Sequence, residues 1–89
     1  MAAHAARRLL RMCENLSVIL GVEAMCAAQG VETRAPLHTS ARLQAAMTVF
    51  RAAVPTLAED RYMAGDIQAA AAAVAKGYLA KAAGVELAL

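Results

Sequence analysis

Few residue types with catalytic or ligand chemistry occur in this sequence. It has no tryptophan, two tyrosines, one phenylalanine, two cysteines and two histidines. No Gly-rich phosphate loop, Gly-x-Ser-x-Gly elbow or Cys-x-x-Cys spacing is present, which excludes the common nucleotide and nucleophile motifs. A metal site needs three or four converging ligands, and His4 and His38 stand apart without clustered carboxylates. We therefore predict no catalytic, cofactor-binding or metal-binding residue, and interpret His4 as a helix-face residue.

The two cysteines, Cys13 and Cys26, fall on one predicted helix and lie about 20 Å apart along its axis. A disulfide requires Cα atoms within about 7 Å, so these two residues cannot pair within that helix. The default expectation is two buried free thiols in a reducing compartment.

Alanine is abundant, with 25 residues among 89, and it explains why the chain is 61% hydrophobic but only 3% aromatic. Alanine favours helix and lets helices approach closely, but each alanine buries little apolar area. The composition suits a tightly packed helical bundle of one domain at most, and it supports a small independent core poorly.

The net charge of +2 is too small to indicate nucleic-acid binding. Arg7, Arg8 and Arg11 are clustered, but no aromatic residue separates them and Glu14 offsets them, which favours a solvated or salt-bridged helix face. The Ala- and Arg-rich start also resembles a mitochondrial presequence, although it lacks serine enrichment. A presequence followed by a small helical domain stays an alternative, which mass spectrometry of the mature N-terminus would test. Glu23 interrupts the best apolar stretch, so we predict no membrane span.

Residues 2–29 are predicted to form one long helix that changes character halfway. Its first half has a polar face at helical spacing, formed by His4, Arg7, Arg8, Arg11, Glu14 and Asn15. In its second half, apolar residues take over that face as well, namely Val18, Val22, Met25 and Cys26. A helix that is apolar all round is surrounded by other elements, and this one would be about 42 Å long. The remaining chain is too short to cover it, so we expect this chain to be a piece of something larger.

The rest of the chain reads as shorter helices. Gly30 is predicted to end the first helix, and residues 31–39, with Pro36, form an extended connector. A helix over residues 40–54 begins at an N-cap on Thr39 or Ser40 and ends before Pro55. Its apolar stripe is predicted to contain Leu43, Ala46, Met47, Phe50 and Val54.

Residues 55–65 form the most charged stretch, for which two interpretations exist. Glu59 and Asp60 could be catalytic carboxylates, but adjacent residues point in different directions and Arg61 would hold either one ionised. A hydrogen-bonded turn that holds the chain against the first helix fits better.

The third predicted helix spans residues 66–77, with Asp66 as N-cap and Gly77 as its stop. Its alanine run predicts flat packing on a neighbour through Ile67, Ala70, Ala71 and Val74. Residues 78–89 are a tail that is helix-compatible as far as Ala83, and we expect its last residues to be poorly ordered without a partner.

Six short motifs occur in an order and spacing that resemble the C-terminal end of histidine ammonia-lyases. They are M-x-x-H-A-A-R-R (1–8), E-N-L (14–16), A-A-Q-G (27–30), R-x-P-L-x-T-S (34–40), V-P-x-L-x-E-D-R-Y (54–62) and D-I-x-A-A (66–70). The resemblance covers residues 1 to about 78. Tyrosine and phenylalanine ammonia-lyases and related aminomutases share this scaffold, but the His-Ala-Ala-Arg-Arg run from His4 favours the histidine branch.

The resemblance implies an all-α fold built on a bundle of very long helices, in a cytoplasmic homotetramer. Such enzymes eliminate ammonia from L-histidine to give trans-urocanate, in the first step of histidine catabolism. Their electrophile is a methylidene-imidazolone ring formed from an Ala-Ser-Gly tripeptide, which this sequence lacks. The family's catalytic residues match positions upstream of Met1, so no catalytic role carries over to any residue here.

Two hypotheses for the function remain. The first is a C-terminal lyase segment that is inactive alone and depends on the remaining lyase segment. The second is a free-standing helical oligomerisation module that associates with itself through the stretch between Leu16 and Ala28.

Overall fold

The computed structural model describes residues 1–86, and these residues fold into four helices without a strand. The helices are α1 (Ala2–Glu32), α2 (Ala41–Ala53), α3 (Ala64–Ala75) and α4 (Tyr78–Ala82). The predicted all-α class with a long first helix is confirmed. Within the described part of the chain, no helix combines the length and the hydrophobicity that a bilayer crossing would require.

Helices α1 and α3 cross closely at Gly21. A methyl group placed on Gly21 would lie 2.7 Å from the backbone nitrogen of Ala71 and 3.0 Å from the carbonyl carbon of Ala70. Only hydrogen fits there, because backbone atoms cannot move aside as a flexible side chain can. The alanine run therefore packs flat on a neighbour, as predicted, and that neighbour is α1.

The core is small and lies where α2 and α3 meet the C-terminal half of α1. Its buried apolar residues are Ala28, Phe50, Val54 and Ala70, with Ala24, Met25, Met47, Ala69 and Leu79 packed around them. Leu79 belongs to α4, which packs against α2. Phe50 and Val54 supply most of the buried side-chain volume, since the other two core members are alanines. The predicted stripe of the second helix is wrong at Leu43, which is 54% exposed.

The end of α1 differs from the prediction, because Gly30 does not stop the helix. The helix continues to Glu32, and Thr33 caps it: the Thr33 hydroxyl donates to the Gly30 carbonyl at 2.8 Å, and the Thr33 backbone N–H donates to the Gln29 carbonyl at 3.0 Å. A side-chain hydroxyl thus satisfies a carbonyl at the helix end.

The predicted N-cap of the third helix, Asp66, is also wrong. α3 begins at Ala64, with Met63 at the cap position, and Asp66 lies in the first turn. Its carboxylate bonds Arg61 instead of a backbone N–H, with 3.0 Å between Arg61 Nε and Asp66 Oδ2. A negative charge in the first turn still interacts favourably with the helix dipole.

Two other helix ends match the sequence signals. Ser40 is the N-cap of α2, where its hydroxyl accepts a 3.4 Å hydrogen bond from the Leu43 N–H. Gly77 follows α3 with φ of 71°, a left-handed conformation that favours glycine. The predicted tail begins with α4 and turns at Gly84, while the expectation for its last residues falls on positions 87–89, outside the described part of the chain.

Candidate functional site

The N-terminal half of α1 carries an exposed apolar surface. Every side chain in residues 2–16 is exposed, and the molecule is 54 Å long in its greatest dimension. In the second half of the helix, Val18, Val22 and Cys26 are exposed and Met25 is half-buried. The expectation that these residues lack cover within this chain agrees with the structure for Val18, Val22 and Cys26, and it is wrong for Met25, which packs against the core.

A network centred on Arg51 ties three segments together at the other end of α1. Arg51 Nη2 lies 2.6 Å from Glu32 Oε1, and Arg51 Nε donates to Glu32 Oε2 at 3.0 Å. The third guanidinium nitrogen, Nη1, donates to the carbonyls of Val54 at 3.2 Å and Pro55 at 3.4 Å. The Thr56 hydroxyl also donates to Glu32, at 3.3 Å. This arrangement fastens the ends of α1 and α2 to the loop that follows.

The same network sets the ionisation of Glu32. The hydrogen bonds from Arg51 lower the pKa of Glu32 most, and the Arg51 charge and the Thr56 hydroxyl lower it further, while partial desolvation acts in the opposite direction. Glu32 is therefore a carboxylate at neutral pH with its partners in place. A general base needs an open lone pair directed at a substrate, so the geometry indicates a structural role.

A second network, centred on Arg61, shapes the charged loop between α2 and α3. Arg61 donates to the carbonyls of Pro55 at 2.7 Å and Thr56 at 3.1 Å, and it pairs with Asp66. The prediction that Arg61 would hold Glu59 or Asp60 is wrong, and both carboxylates are exposed. A hydrogen-bonded turn fits this loop, whose link to α1 runs through Thr56 and through a long 3.5 Å contact from Gln29 Nε2 to the Leu57 carbonyl.

The two histidines lie in different parts of the molecule. His4 is on the exposed N-terminal half of α1, whereas the Nδ1 atom of His38 lies 3.0 Å from Gln44 Nε2 in the connector before α2. No group of three His, Cys, Asp or Glu residues able to hold a metal ion occurs among residues 1–86.

Both cysteines are free and exposed, so the expectation of burial is wrong for Cys13 and Cys26. It assumed that an apolar helix is covered by its own chain. Cys13 instead lies in the uncovered N-terminal half of α1, and Cys26 lines an open groove between α1 and the loop before α3.

Two open grooves flank the α1 body. One has a polar wall and is lined by Glu32, His38, Thr39, Gln44, Thr48 and Arg51 together with apolar residues. The other is mainly apolar and lies between α1 and the loop before α3, lined among others by Val22, Met25, Leu57, Met63 and Ile67. Neither pairs a nucleophile with a base, so their chemistry is that of packing surfaces.

The family of the chain follows from comparison with known proteins. The sequence model of the family described as "Aromatic amino acid lyase" matches residues 1–52. This match covers more than half of the chain, and the chain therefore belongs to the aromatic amino acid lyase family. The matched region comprises α1, the connector and nearly all of α2.

Within the family, the chain is similar to a protein named histidine ammonia-lyase from Roseobacter denitrificans (strain ATCC 33942 / OCh 114). The two are 75% identical over 80 residues, which is 90% of this chain and 16% of the relative. The chain thus spans well under a fifth of the length of the curated relative that it matches. No solved structure matches it.

The self-formed ring implied by the resemblance does not fit the residues present here. It requires serine between alanine and glycine, and the two serines of this chain are Ser17 and Ser40. Ser17 lies within α1 and Ser40 caps α2, and both are flanked by other residue types. No catalytic step through the ring is therefore derived from this chain.

Sequence reasoning missed the residues that shape the molecule most. Gly21 gives only an indirect signal, since a glycine opposite an alanine run indicates close helix contact once the pairing of the helices is known. Glu32 lies in the predicted connector and Arg51 in the second predicted helix, and their separation of 19 residues leaves no local signal of pairing.

Proposed function

We propose that this chain is a structural segment of a histidine ammonia-lyase and contributes the end part of its central helical bundle. In that enzyme, L-histidine loses its amino group and a proton from the adjacent carbon, which gives trans-urocanate and ammonia. The segment itself supplies no catalytic residue and no cofactor. Its role is to fill and brace the bundle, and the electrophilic ring forms from an Ala-Ser-Gly tripeptide elsewhere in the enzyme.

The observation that supports this role is the uncovered apolar surface of α1. Leu9, Met12, Leu16 and Ile19 are each more than half exposed, although burying one such side chain contributes about 1.5–3 kcal/mol. A helix that carries this much unburied apolar surface is stable in water chiefly when other helices cover it. The 75% identity to a histidine ammonia-lyase supports further lyase helices as the cover.

A segment exchange tests the proposal directly. The 80 matched residues of the Roseobacter denitrificans relative are replaced by those of this chain, and urocanate formation from L-histidine is followed by absorbance. We expect the chimera to retain activity and the 89-residue chain alone to have none.

A matched pair of chimeras tests whether the segment acts through packing. Gly21→Val in the chimera places a branched side chain against the α3 backbone and should abolish soluble, active enzyme. Gly30→Val, where nothing lies within 4 Å of the added Cβ, should retain activity. An inactive but folded parent chimera, or urocanate formation by the chain alone, would contradict the proposal.

The alternative is a free-standing helical oligomerisation module without enzymatic activity, which associates through the stretch between Leu16 and Ala28. It predicts a cooperative melt and one discrete oligomer in light scattering. The first proposal also includes a cytoplasmic location, a role in histidine catabolism and assembly into a homotetramer. The mass of the active chimera would test the homotetramer.

A further inference from the structure

Tyr62 lies in the loop between α2 and α3 and presents almost its whole side chain to solvent. Its exposed fraction is 89%, the highest for a large apolar or aromatic residue in the described part of the chain apart from the terminal Met1. The other tyrosine, Tyr78, is only 49% exposed, and its ring centroid lies 5.8 Å from the Lys76 ammonium. Among residues 1–86, Tyr62 makes no cation–π contact of this kind. Its ring therefore contributes little to the packing of this chain.

The loop around Tyr62 is nevertheless held at both ends. The Pro55 carbonyl accepts hydrogen bonds from two arginines, at 2.7 Å from Arg61 Nη2 and at 3.4 Å from Arg51 Nη1. Arg61 also pairs with Asp66 in the first turn of α3, at 3.0 Å. The two arginine networks thus meet at one carbonyl, and they fix the loop to α2 on one side and to α3 on the other.

The residues on either side of Tyr62 face the molecule. Arg61 forms the hydrogen bonds just described, and Met63 lines the apolar groove between the loop and α1. Tyr62, between them, is directed outward. An aromatic side chain on a loop that is already ordered loses little conformational freedom when it binds, and aromatic side chains supply much of the binding energy of protein interfaces. The arrangement is that of a preorganised anchor residue.

This loop is a different surface from the bare half of α1. It contacts α1 at the C-terminal end of that helix, where the Thr56 hydroxyl donates to Glu32 at 3.3 Å. Glu32 lies about 24 Å along the helix axis from Leu16, the last residue of the bare half. Cover of the bare half therefore does not by itself bury Tyr62.

Two carboxylates beside Tyr62 indicate the charge of its partner. Glu59 and Asp60 are exposed, and the ion pairs of the described residues, Glu32–Arg51 and Asp66–Arg61, include neither of them. Their charges are therefore not compensated by those pairs. Interfaces place opposite charges against each other, so a surface with lysine or arginine fits this loop.

We propose that Tyr62 anchors this loop to the remaining lyase segment by inserting its ring into an apolar pocket with lysine or arginine at the rim. Tyrosine suits such a pocket, because its ring is apolar while its hydroxyl forms a hydrogen bond. The inference rests on the proposed function, since the remaining lyase segment is the partner, and it names a contact surface separate from the bare half of α1. The chain covers 16% of its relative, so most of the enzyme is available to form the pocket.

The first test measures the accessibility of the two tyrosines. Tetranitromethane nitrates tyrosine rings that solvent reaches, and mass spectrometry of peptides locates the product. In the 89-residue chain, Tyr62 should react faster than Tyr78. In the active lyase chimera, the rate at Tyr62 should fall severalfold, and unfolding the chimera should restore it. An unchanged rate at Tyr62 in the folded chimera would overturn the proposal.

The second test compares tyrosine variants in the chain and in the chimera. Tyr62→Ala should leave the thermal midpoint of the 89-residue chain unchanged but lower that of the chimera by several degrees. Tyr62→Phe, which retains the ring, should recover most of the loss. Tyr78→Ala is the matched control: it removes contacts within the chain, so it should lower the midpoint in both proteins. Equal midpoints of the Tyr62→Ala chimera and the parent chimera, or a loss with Tyr62→Ala in the isolated chain as well, would overturn the proposal.

The third test neutralises the two carboxylates together. Glu59→Gln combined with Asp60→Asn should lower the thermal midpoint of the chimera at low salt and have a smaller effect at high salt, because salt screens charges near a surface. The same double variant should leave the isolated chain unchanged. A chimera that is indifferent to the double variant would overturn the basic rim of the pocket.

The outcomes separate this inference from the proposed function. An active chimera in which Tyr62 stays reactive overturns the anchor and leaves the proposed function standing. A folded but inactive parent chimera overturns both.

Discussion

The two halves of α1 both carry large apolar side chains but differ in burial. Residues 2–16 are exposed on every side, whereas residues 17–32 include Gly21 and Ala28, which are buried against neighbouring elements. Leu9 and Leu10 are exposed in the bare half, while the two buried residues of the other half are small, a glycine and an alanine. Residues of α1 are therefore buried where another backbone can approach closely. The hydropathy of a residue alone does not predict whether it is buried.

The sharpest test of this contrast is amide hydrogen exchange. Amides in residues 20–32 should open only with global unfolding, and those in residues 6–16 should open locally. We expect the opening free energies to differ by several kcal/mol, about the stability of a small domain. Equal protection in both halves would contradict the comparison.

The next largest effect is expected from truncating the core. Phe50 is 2% exposed, so Phe50→Ala should destabilise the chain by about 3–5 kcal/mol, enough to unfold it. Leu10→Ala, at a position 70% exposed, should change the stability by less than about 0.5 kcal/mol. Urea denaturation followed by circular dichroism measures both. A large loss in Leu10→Ala would mean that the bare half is packed in solution.

Two identical substitutions in α1 should have opposite signs. Gly21→Ala forces a methyl group to within 2.7 Å of the Ala71 nitrogen, and overpacking of this kind costs about 1–3 kcal/mol. Gly30→Ala meets nothing within 4 Å and should stabilise the helix by up to about 1 kcal/mol. Thermal melts of the two variants provide the comparison. Stabilisation of Gly21→Ala would show that α1 and α3 do not cross as closely as described.

The smallest effect is expected at the Glu32–Arg51 pair. The pKa of Glu32 is lowered in the folded state, so the pair contributes stability above the unfolded carboxyl pKa of about 4.3. That contribution is lost as the pH falls through the lower folded value. Both side chains are partly solvated, at 17% and 31% exposure, so we expect Glu32→Gln to cost at most about 1 kcal/mol at pH 7.

The control for this pair is Glu59→Gln, at an exposed carboxylate. It should leave the stability at pH 7 unchanged. The difference between Glu32→Gln and the parent chain should shrink as the pH falls below the unfolded carboxyl pKa and through the lower folded value, because the parent chain then loses the charge as well. A difference independent of pH would show that packing, and not ionisation, explains the effect.

Local signals predicted much of the fold, and tertiary contacts explain what was missed. Three features could be predicted from the sequence because they depend on residues only a few positions away. They are the helical periodicity, the N-cap at Ser40 and the helix end at Gly77. Two helix ends differ from their predicted positions because of hydrogen bonds made by side chains. The Thr33 hydroxyl bonds the Gly30 carbonyl at the end of α1, and the Asp66 carboxylate bonds Arg61 instead of capping α3.

The features of the candidate site likewise divide into those that local sequence predicts and those that depend on tertiary contacts. The exposure of Val18, Val22 and Cys26 was predictable from periodicity, because a stretch that is apolar all round cannot be covered by so short a chain. The arginine networks were not predictable, since Arg51 and Glu32 meet only after α1 and α2 have folded against each other. The exposed state of both cysteines was missed because hydrophobic surroundings in a sequence do not guarantee hydrophobic surroundings in one chain.

The Gly21 crossing fixes the register of the whole second half of α1. Gly21 and Glu32 are eleven residues apart, which is almost exactly three turns, so the crossing and the carboxylate point in nearly the same direction. Inserting or deleting a single residue between them would rotate one relative to the other by about 100°. The contact with α3 and the pair with Arg51 could then no longer form together, so this stretch should tolerate substitutions far better than changes in length.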